Sequence, residues 1–385
     1  MKTVYMDNNA TTCVAPEVRD AMLPFFDEYW GNPSSMHTFG GQVKKHIERA
    51  REQVAAFINA HPSEIVFTSC GSESNNTAIR GAVESMGSWT RIITTRVEHH
   101  ATLAPCHYLE NRGHPVVELG VDSQGALDMD ELRDALAYRN AVVSIMWANN
   151  ETGVLFPIQE IAETVKNAGA VIHTDAIQSV GKIPIDVSKT PVDMLSISGH
   201  KIHAPKGVAA LYVRRGSRMN PLILGGHQEN GKRAGTENVP YIVGLGVACE
   251  LAAKHMEDYN TRVKAMRDRL EEGLTANCPD AQINGDRKNR VPNTTNIGFE
   301  YIEGEAILLL FDQVGIATSS GSACTSGSLE PSHVLRAMGV PHTCVQGSIR
   351  FSLSRYNTEE DIDYALEQIP PVIERLRQMS PFVKA

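Results

Sequence analysis

The chain lacks any long apolar run. Its most continuous stretches, such as Ala306 to Phe311, fall far short of the roughly 20 residues that cross a bilayer. The opening MKTVYMDNNATT has no apolar leader core, which points to a cytoplasmic protein. Positive charge is not in excess. Lys+Arg number 36 against 45 Asp+Glu, so the formal net charge is -9. Such a chain offers no global field to nucleic acid or anionic lipid, and any anion it binds must be caught locally. The seven cysteines are scattered and form no C-x-x-C pair, which disfavours a disulfide framework and a zinc site. Taken singly, each reads as a small buried hydrophobe. Internal repeats are absent, and the only biased segment is the Ser/Gly stretch Ser319 to Ser328.

What is present is an ordinary globular mix, 42% hydrophobic and 21% charged. A length of 385 residues suggests two or three domains, or one large α/β domain with a smaller companion. Between about residues 60 and 215, short β-rich runs alternate with helical patterns. The predicted strands are Glu64 to Thr68, Arg91 to Thr95, Val116 to Leu119, Ala141 to Met146, Ala170 to Thr174, Met194 to Ser198 and Val208 to Val213. This alternation predicts an α/β fold: a mostly parallel sheet with helices on both faces, and ligands at the C-terminal strand ends. After about residue 250 the pattern changes. A charged helix is expected from Glu250 towards Ala276, then a strand Thr294 to Phe299, a helix Glu303 to Phe311 and a strand around Ser348 to Ser354. A last helix opens at Thr358 with capping-box form, and Pro370 and Pro371 are expected to break or kink it. The domain reading is a large α/β domain over 16–255 and a smaller α+β domain from 1–15 and 256–385, with a loop at about 319–330.

The unusual residues follow the strands. Thr68-Ser69-Cys70-Gly71-Ser72 opens a helix, and small residues at a helix N-terminus suit a phosphate. A capped strand-to-helix turn would have the same appearance. Asp175 ends a strand with Gln178 three residues on; it reads as a site carboxylate or as a helix N-cap. Ser198-Gly199-His200-Lys201 ends the next. One helix plus one strand separates Asp175 from Lys201, so both side chains should reach the same sheet edge. A lysine among such partners can form a Schiff base; alone it would read as a surface lysine.

An anion cradle, a carboxylate and such a lysine match the needs of pyridoxal phosphate. His99 is placed to stack on its ring or to shuttle protons, although His100 beside it leaves a structural loop histidine open. Asn150 would bond the cofactor or a substrate carboxylate. Arg350 would clamp that carboxylate with its guanidinium fork, or else form an inter-domain salt bridge. Cys324 lies in a run too small and polar to bury anything, and reads as a reactive thiol.

Over nearly its whole length the sequence resembles a fold-type I pyridoxal-phosphate cysteine desulfurase of the NifS/IscS group, within the class-V aminotransferases. The matching segments include MDNNATT, GNPSS, SCGSESNN, ANNETG, HTDAIQS, SGHKIHAPKG, GGHQENGKRAGTEN, SSGSACTSGSLEPSHVLRAMG and SIRFSLSRYNTEEDID. The serine-rich loop is like that of the long-loop class. MWANNETG, GGHQE and the brief C-terminal tail are nearer the NifS branch, without the extension by which IscS proteins dock their scaffold. Two positions depart: Cys70 stands where many members have glycine, and Ser72 where many have threonine.

The resemblance implies a role for each matching residue. Lys201 carries the cofactor. Asp175 pairs with its ring nitrogen, Gln178 bonds its ring oxygen and His99 stacks on the ring. Gly71, Ser72, Ser198 and His200 hold the phosphate. Thr236 reaches the phosphate of a neighbouring subunit, which implies a homodimer. Asn150 and Arg350 hold the substrate. Cys324 carries a persulfide, through which it is also a candidate transient iron–sulfur ligand. The implied reaction turns L-cysteine into L-alanine and hands sulfur to an iron–sulfur scaffold protein, in the NifS manner for nitrogenase clusters. Selenocysteine lysis and transamination are rival reactions on the same fold, and a cargo carrier without catalysis is the non-enzymatic rival.

Overall fold

The computed structural model describes residues 3–138, 140–320 and 331–380. Cys324, with residues 321–330 of the expected loop, lies outside the described residues. In chain order the strands are β1 (Val4–Tyr5), β2 (Ile65–Thr68), β3 (Arg91–Thr95), β4 (Val116–Leu119), β5 (Ala141–Ser144), β6 (Val171–Asp175), β7 (Met194–Ser198), β8 (Ala209–Val213), β9 (Ala281–Ile283), β10 (Thr294–Phe299), β11 (Ile316–Ala317) and β12 (Ser348–Ser352).

Seven of them form one sheet in the order β2-β8-β7-β6-β5-β3-β4. Only β8 runs against its neighbours, β2 and β7; every other pair is parallel. Strands buried on both faces need near-continuous apolar sequence, and Ile65–Thr68, Ala141–Ser144 and Ala209–Val213 are buried throughout. All seven expected strands are there, with ends shifted by two residues at most. Helices cover both faces. Ile158–Asn167 shows the reason: Ile158, Ile161, Ala162 and Val165 recur at helical spacing and are its buried residues.

Because β2, β3, β5, β6 and β7 point the same way, their C-terminal ends open on one edge. Adjacent β6 and β7 pair Asp175 with Ser196, so Asp175 and the Lys201 turn are neighbours, although residues 176–193 between the strands form turns rather than the expected helix.

A second sheet, β12-β10-β9, is antiparallel and sets Asn296 opposite Arg350. It belongs to a separate hydrophobic cluster that includes Val4, Met6, Leu270, Phe299, Phe311, Phe351 and Ile369. The N-terminal segment runs between this sheet and the large one. Asn9 N donates to Ser352 Oγ, and Thr12 N donates to the His200 carbonyl.

Two helical expectations need correction. The helix expected from Glu250 begins earlier, as Val239–Lys254, and gives way after His255 to the short helix Met256–Asp258. A π turn, Tyr259–Val263, then leads into Lys264–Asn277. The last helix runs unbroken from Glu359 to Met379 through Pro370 and Pro371. Each proline lacks the N–H for one backbone bond. Buried Ile362, Ala365, Ile369 and Ile373 bind this helix to the second cluster and hold it together on both sides of the prolines. The Thr358 capping box forms as its sequence predicts.

Candidate active site

The strand ends enclose a cavity of about 340 Å³, and sequence reasoning had singled out most of its lining. Gly71, Ser72, His99, Asn150, Asp175, Gln178, Ser198, His200, Lys201 and Arg350 all face it. Thr236 does not. It lines a different cavity with Thr68, Glu229 and Arg233.

Each side chain is held by local structure. Cys70 caps the helix Gly71–Met86, its sulfur accepting from Glu73 N at 3.4 Å. Four of the described cysteines are buried as expected, but Cys13 and Cys70 are exposed, and Cys70 also lines the cavity. A Cβ on Gly71 would sit 2.2 Å from Ile177 Cδ1, so a side chain there would push Ile177 aside. Asp175 is 6% exposed. Its Oδ2 accepts from Asn75 Nδ2 at 2.7 Å and its Oδ1 from Ile177 N at 2.9 Å. These donors hold the carboxylate in place.

His99 caps the helix His100–Glu110, its Nδ1 accepting from Ala101 N at 3.0 Å. That bond puts the proton of the neutral ring on Nε2. Burial lowers its pKa, and Lys201 acts the same way against the opposing Asp175 charge. While the cap stands, His99 therefore presents a donor, and accepting a proton at Nδ1 requires that cap to open. His200 is lowered to about 4, by burial first and then by Lys201 and Lys206.

Lys201 Nζ donates to the carbonyls of Asn9 at 2.5 Å and Ala10 at 2.8 Å. Arg350 is both an ion-pair partner and a cavity residue. Its Nη2 meets Asp7 Oδ1 at 2.8 Å and its Nη1 donates to the Asn150 carbonyl at 2.9 Å, while its buried Nε has no hydrogen-bond partner among the described residues.

Several residues escaped sequence reasoning. Asn75 anchors Asp175 from 100 residues away. Asn9 lies within the quoted MDNNATT, yet no sequence signal marks it as the contact shared by Gln178, Lys201 and Thr294. Glu98 is fully buried behind His99, and burial pushes its pKa up to about 8. Its position next to His99 was the available signal.

The residues fit pyridoxal phosphate on observations of their own. Ser198 and Asn150 line the cavity, and their buried Oγ and Oδ1 atoms have no hydrogen-bond partner among the described residues. A buried carboxylate and a lysine amine face the same space. The open Gly71 backbone at a helix N-terminus suits a phosphate group.

Comparison with known proteins agrees. The class-V aminotransferase model matches residues 4–365. The chain belongs to the class-V aminotransferase family. It is 59% identical to a cysteine desulfurase from Nostoc sp. (strain PCC 7120 / SAG 25.82 / UTEX 2576) over 99% of this chain and 96% of that one. It is 57% identical to the cysteine desulfurase NifS of Azotobacter vinelandii, over 99% and 95%. A solved NifS-like protein superposes with a TM-score of 0.92 at 40% identity, covering 97% of this chain and all of that one. The fold is accordingly the fold-type I α/β architecture, and pyridoxal phosphate is the family's cofactor.

Proposed function

We infer that the protein is a pyridoxal-phosphate-dependent cysteine desulfurase, which releases L-alanine from L-cysteine and keeps the sulfur as a persulfide on Cys324. The observation that carries this reading is one cavity in which Lys201, Asp175, His99 and Arg350 converge. When bound, pyridoxal phosphate supplies an electron sink for charge developing on the substrate. Gly71, Ser72, Ser198 and His200 would hold its phosphate, Asp175 its ring nitrogen, Gln178 its ring oxygen and His99 its ring face. Lys201 would hold its aldehyde carbon.

Around that group, the chain's residues orient substrate and move protons. Arg350 and Asn150 fix the cysteine carboxylate, which sets the direction of the sulfur. The Lys201 amine takes the α-proton and returns it later. The Cys324 thiolate attacks the substrate sulfur; the Cβ–S bond breaks and its electron pair stays with carbon. Carbon then gains a proton in place of sulfur, so cysteine plus a thiol gives alanine plus a persulfide. An unperturbed thiol of pKa ~8.5 is only a few per cent thiolate at pH 7, so attack calls for a nearby base or cation.

The sulfur is destined for an iron–sulfur scaffold protein, in the NifS manner for nitrogenase clusters, with Cys324 a transient iron–sulfur ligand through its persulfide. The working unit is a cytoplasmic homodimer in which Thr236 reaches the partner's phosphate. The chain divides into a large domain over 16–255 and a small one from 1–15 and 256–385, a division supported by the cluster around Phe299, Phe351 and Ile369, whose buried residues all come from the small domain.

Cys324→Ala tests the reading. The variant should stay yellow with pyridoxal phosphate, bind cysteine, and release neither alanine nor sulfide when a reductant is present. Normal alanine release would remove Cys324 from the reaction. Conversion of added keto acids at the cysteine rate would favour transamination.

A further inference from the structure

Four residues beyond Gln178 the chain buries a lysine that the reaction leaves without a task. Lys182 is 3% exposed, and among the described residues no carboxylate forms an ion pair with it. Burial drives its pKa well below the ordinary lysine value, and Lys201 and Arg350 push the same way. A buried amine without a counter-charge is costly. Its Nζ donates to Gln178 Oε1 at 2.8 Å and to Asn9 Oδ1 at 3.4 Å.

These contacts fix the Gln178 carboxamide from both ends. Gln178 Nε2 donates to the Asn9 carbonyl at 3.0 Å, and a backbone carbonyl only accepts. Asn9 is fixed in turn, because its Nδ2 donates to Thr294 Oγ1 at 2.8 Å and its Oδ1 accepts from Asn293. Turning Gln178 over would set oxygen against oxygen at Asn9. The carboxamide has a second N–H, and Gln178 lines the cavity. A donor on the amide oxygen draws electrons from the nitrogen and strengthens its N–H groups.

We propose that Lys182 is a positioning residue: by donating to Gln178 Oε1 it orients and polarises that carboxamide, so that its second N–H is offered to the ring oxygen of pyridoxal phosphate. The inference rests on the cofactor reading above. A donor on the ring oxygen stabilises negative charge there, so the visible chromophore gives up its proton at lower pH.

The test is a pH titration of the visible absorbance of the holoenzyme and three holo variants: Lys182→Met, Gln178→Ala and the double variant. Gln178→Ala should raise the chromophore pKa by roughly one unit, about tenfold in proton affinity, the scale of one hydrogen bond to a charged group. Lys182→Met should shift it the same way and by no more. The double variant should match Gln178→Ala alone. Any charge on the Lys182 amine would act through space in either background, so the double variant decides between the two routes. An unchanged Lys182→Met titration, or shifts that add in the double variant, overturns the proposal. If Lys182→Met does not fold, Lys182→Gln keeps the site polar and takes its place; its amide accepts either Gln178 orientation, so a smaller rise is expected and no rise overturns the proposal. A wild-type protein that gains no visible band with pyridoxal phosphate refutes the cofactor reading instead.

Discussion

Replacing Arg350 by lysine keeps the charge and removes the fork. Arg350 is 4% exposed, so its guanidinium works away from bulk water. Two of its five N–H donors are committed, one on Nη2 to Asp7 and one on Nη1 to the Asn150 carbonyl, which leaves three on the guanidinium of a cavity-lining residue. A lysine ammonium is a point charge that cannot serve Asp7, Asn150 and a carboxylate with the same planar geometry. The substitution should therefore lose about one charge-assisted hydrogen bond, worth roughly 1.5–3 kcal/mol. At about 1.4 kcal/mol per factor of ten, that is a fall of roughly 10- to 150-fold in kcat/KM. Arg350 binds the ground state as well as the transition state, so the loss should fall mainly on KM. The assay is the initial rate of alanine formation across a range of L-cysteine concentrations. The visible spectrum of the holo variant serves as the control that the cofactor is in place. A normal KM with a depressed kcat would refute the clamp and leave Arg350 its bonds to Asp7 and Asn150.

Other outcomes follow from neighbouring contacts. Asn75→Ala removes the 2.7 Å donor on Asp175, so urea unfolding should report a loss of roughly 1.5–3 kcal/mol, and dialysis should strip pyridoxal phosphate more readily. Glu98 is held neutral by burial, with a folded pKa of about 8 against an ordinary 4.5. Its contribution to stability is complete below about pH 4.5 and is lost as pH rises through about 8, because the unfolded chain releases the proton first. Glu98→Gln should flatten that part of the profile in thermal melts between pH 5 and 8; an unaltered slope would reject a neutral Glu98. Gly71→Ala must displace Ile177 Cδ1, the end of a movable side chain, so calorimetry should show a small drop in Tm while affinity for pyridoxal phosphate falls more sharply.

Strands were legible where the chain leaves no choice. Runs such as Ile65–Thr68 and Ala209–Val213 are largely apolar on both faces and bounded by polar turns, and a sheet covered on both sides is the structure that buries them. Placing Asp175 beside Lys201 needed only the length of one crossover. Contacts between distant segments were not legible. Nothing near Asn75 announces a bond to Asp175, and nothing near Asn9 announces that Gln178 and Lys201 share its carbonyl. Nothing around Lys182 in the sequence announces its burial, which packing far along the chain creates. Pro370 and Pro371 fail to break their helix for the same reason. Their local rule was sound, but tertiary burial of Ile369 and Ile373 outweighed it.

The account turns on which amine carries the cofactor. Borohydride reduction of the holoenzyme, followed by peptide mapping, fixes pyridoxal phosphate on the lysine that holds it. The tag should fall on Lys201. Finding it on Lys182, or on any other lysine, would contradict the site.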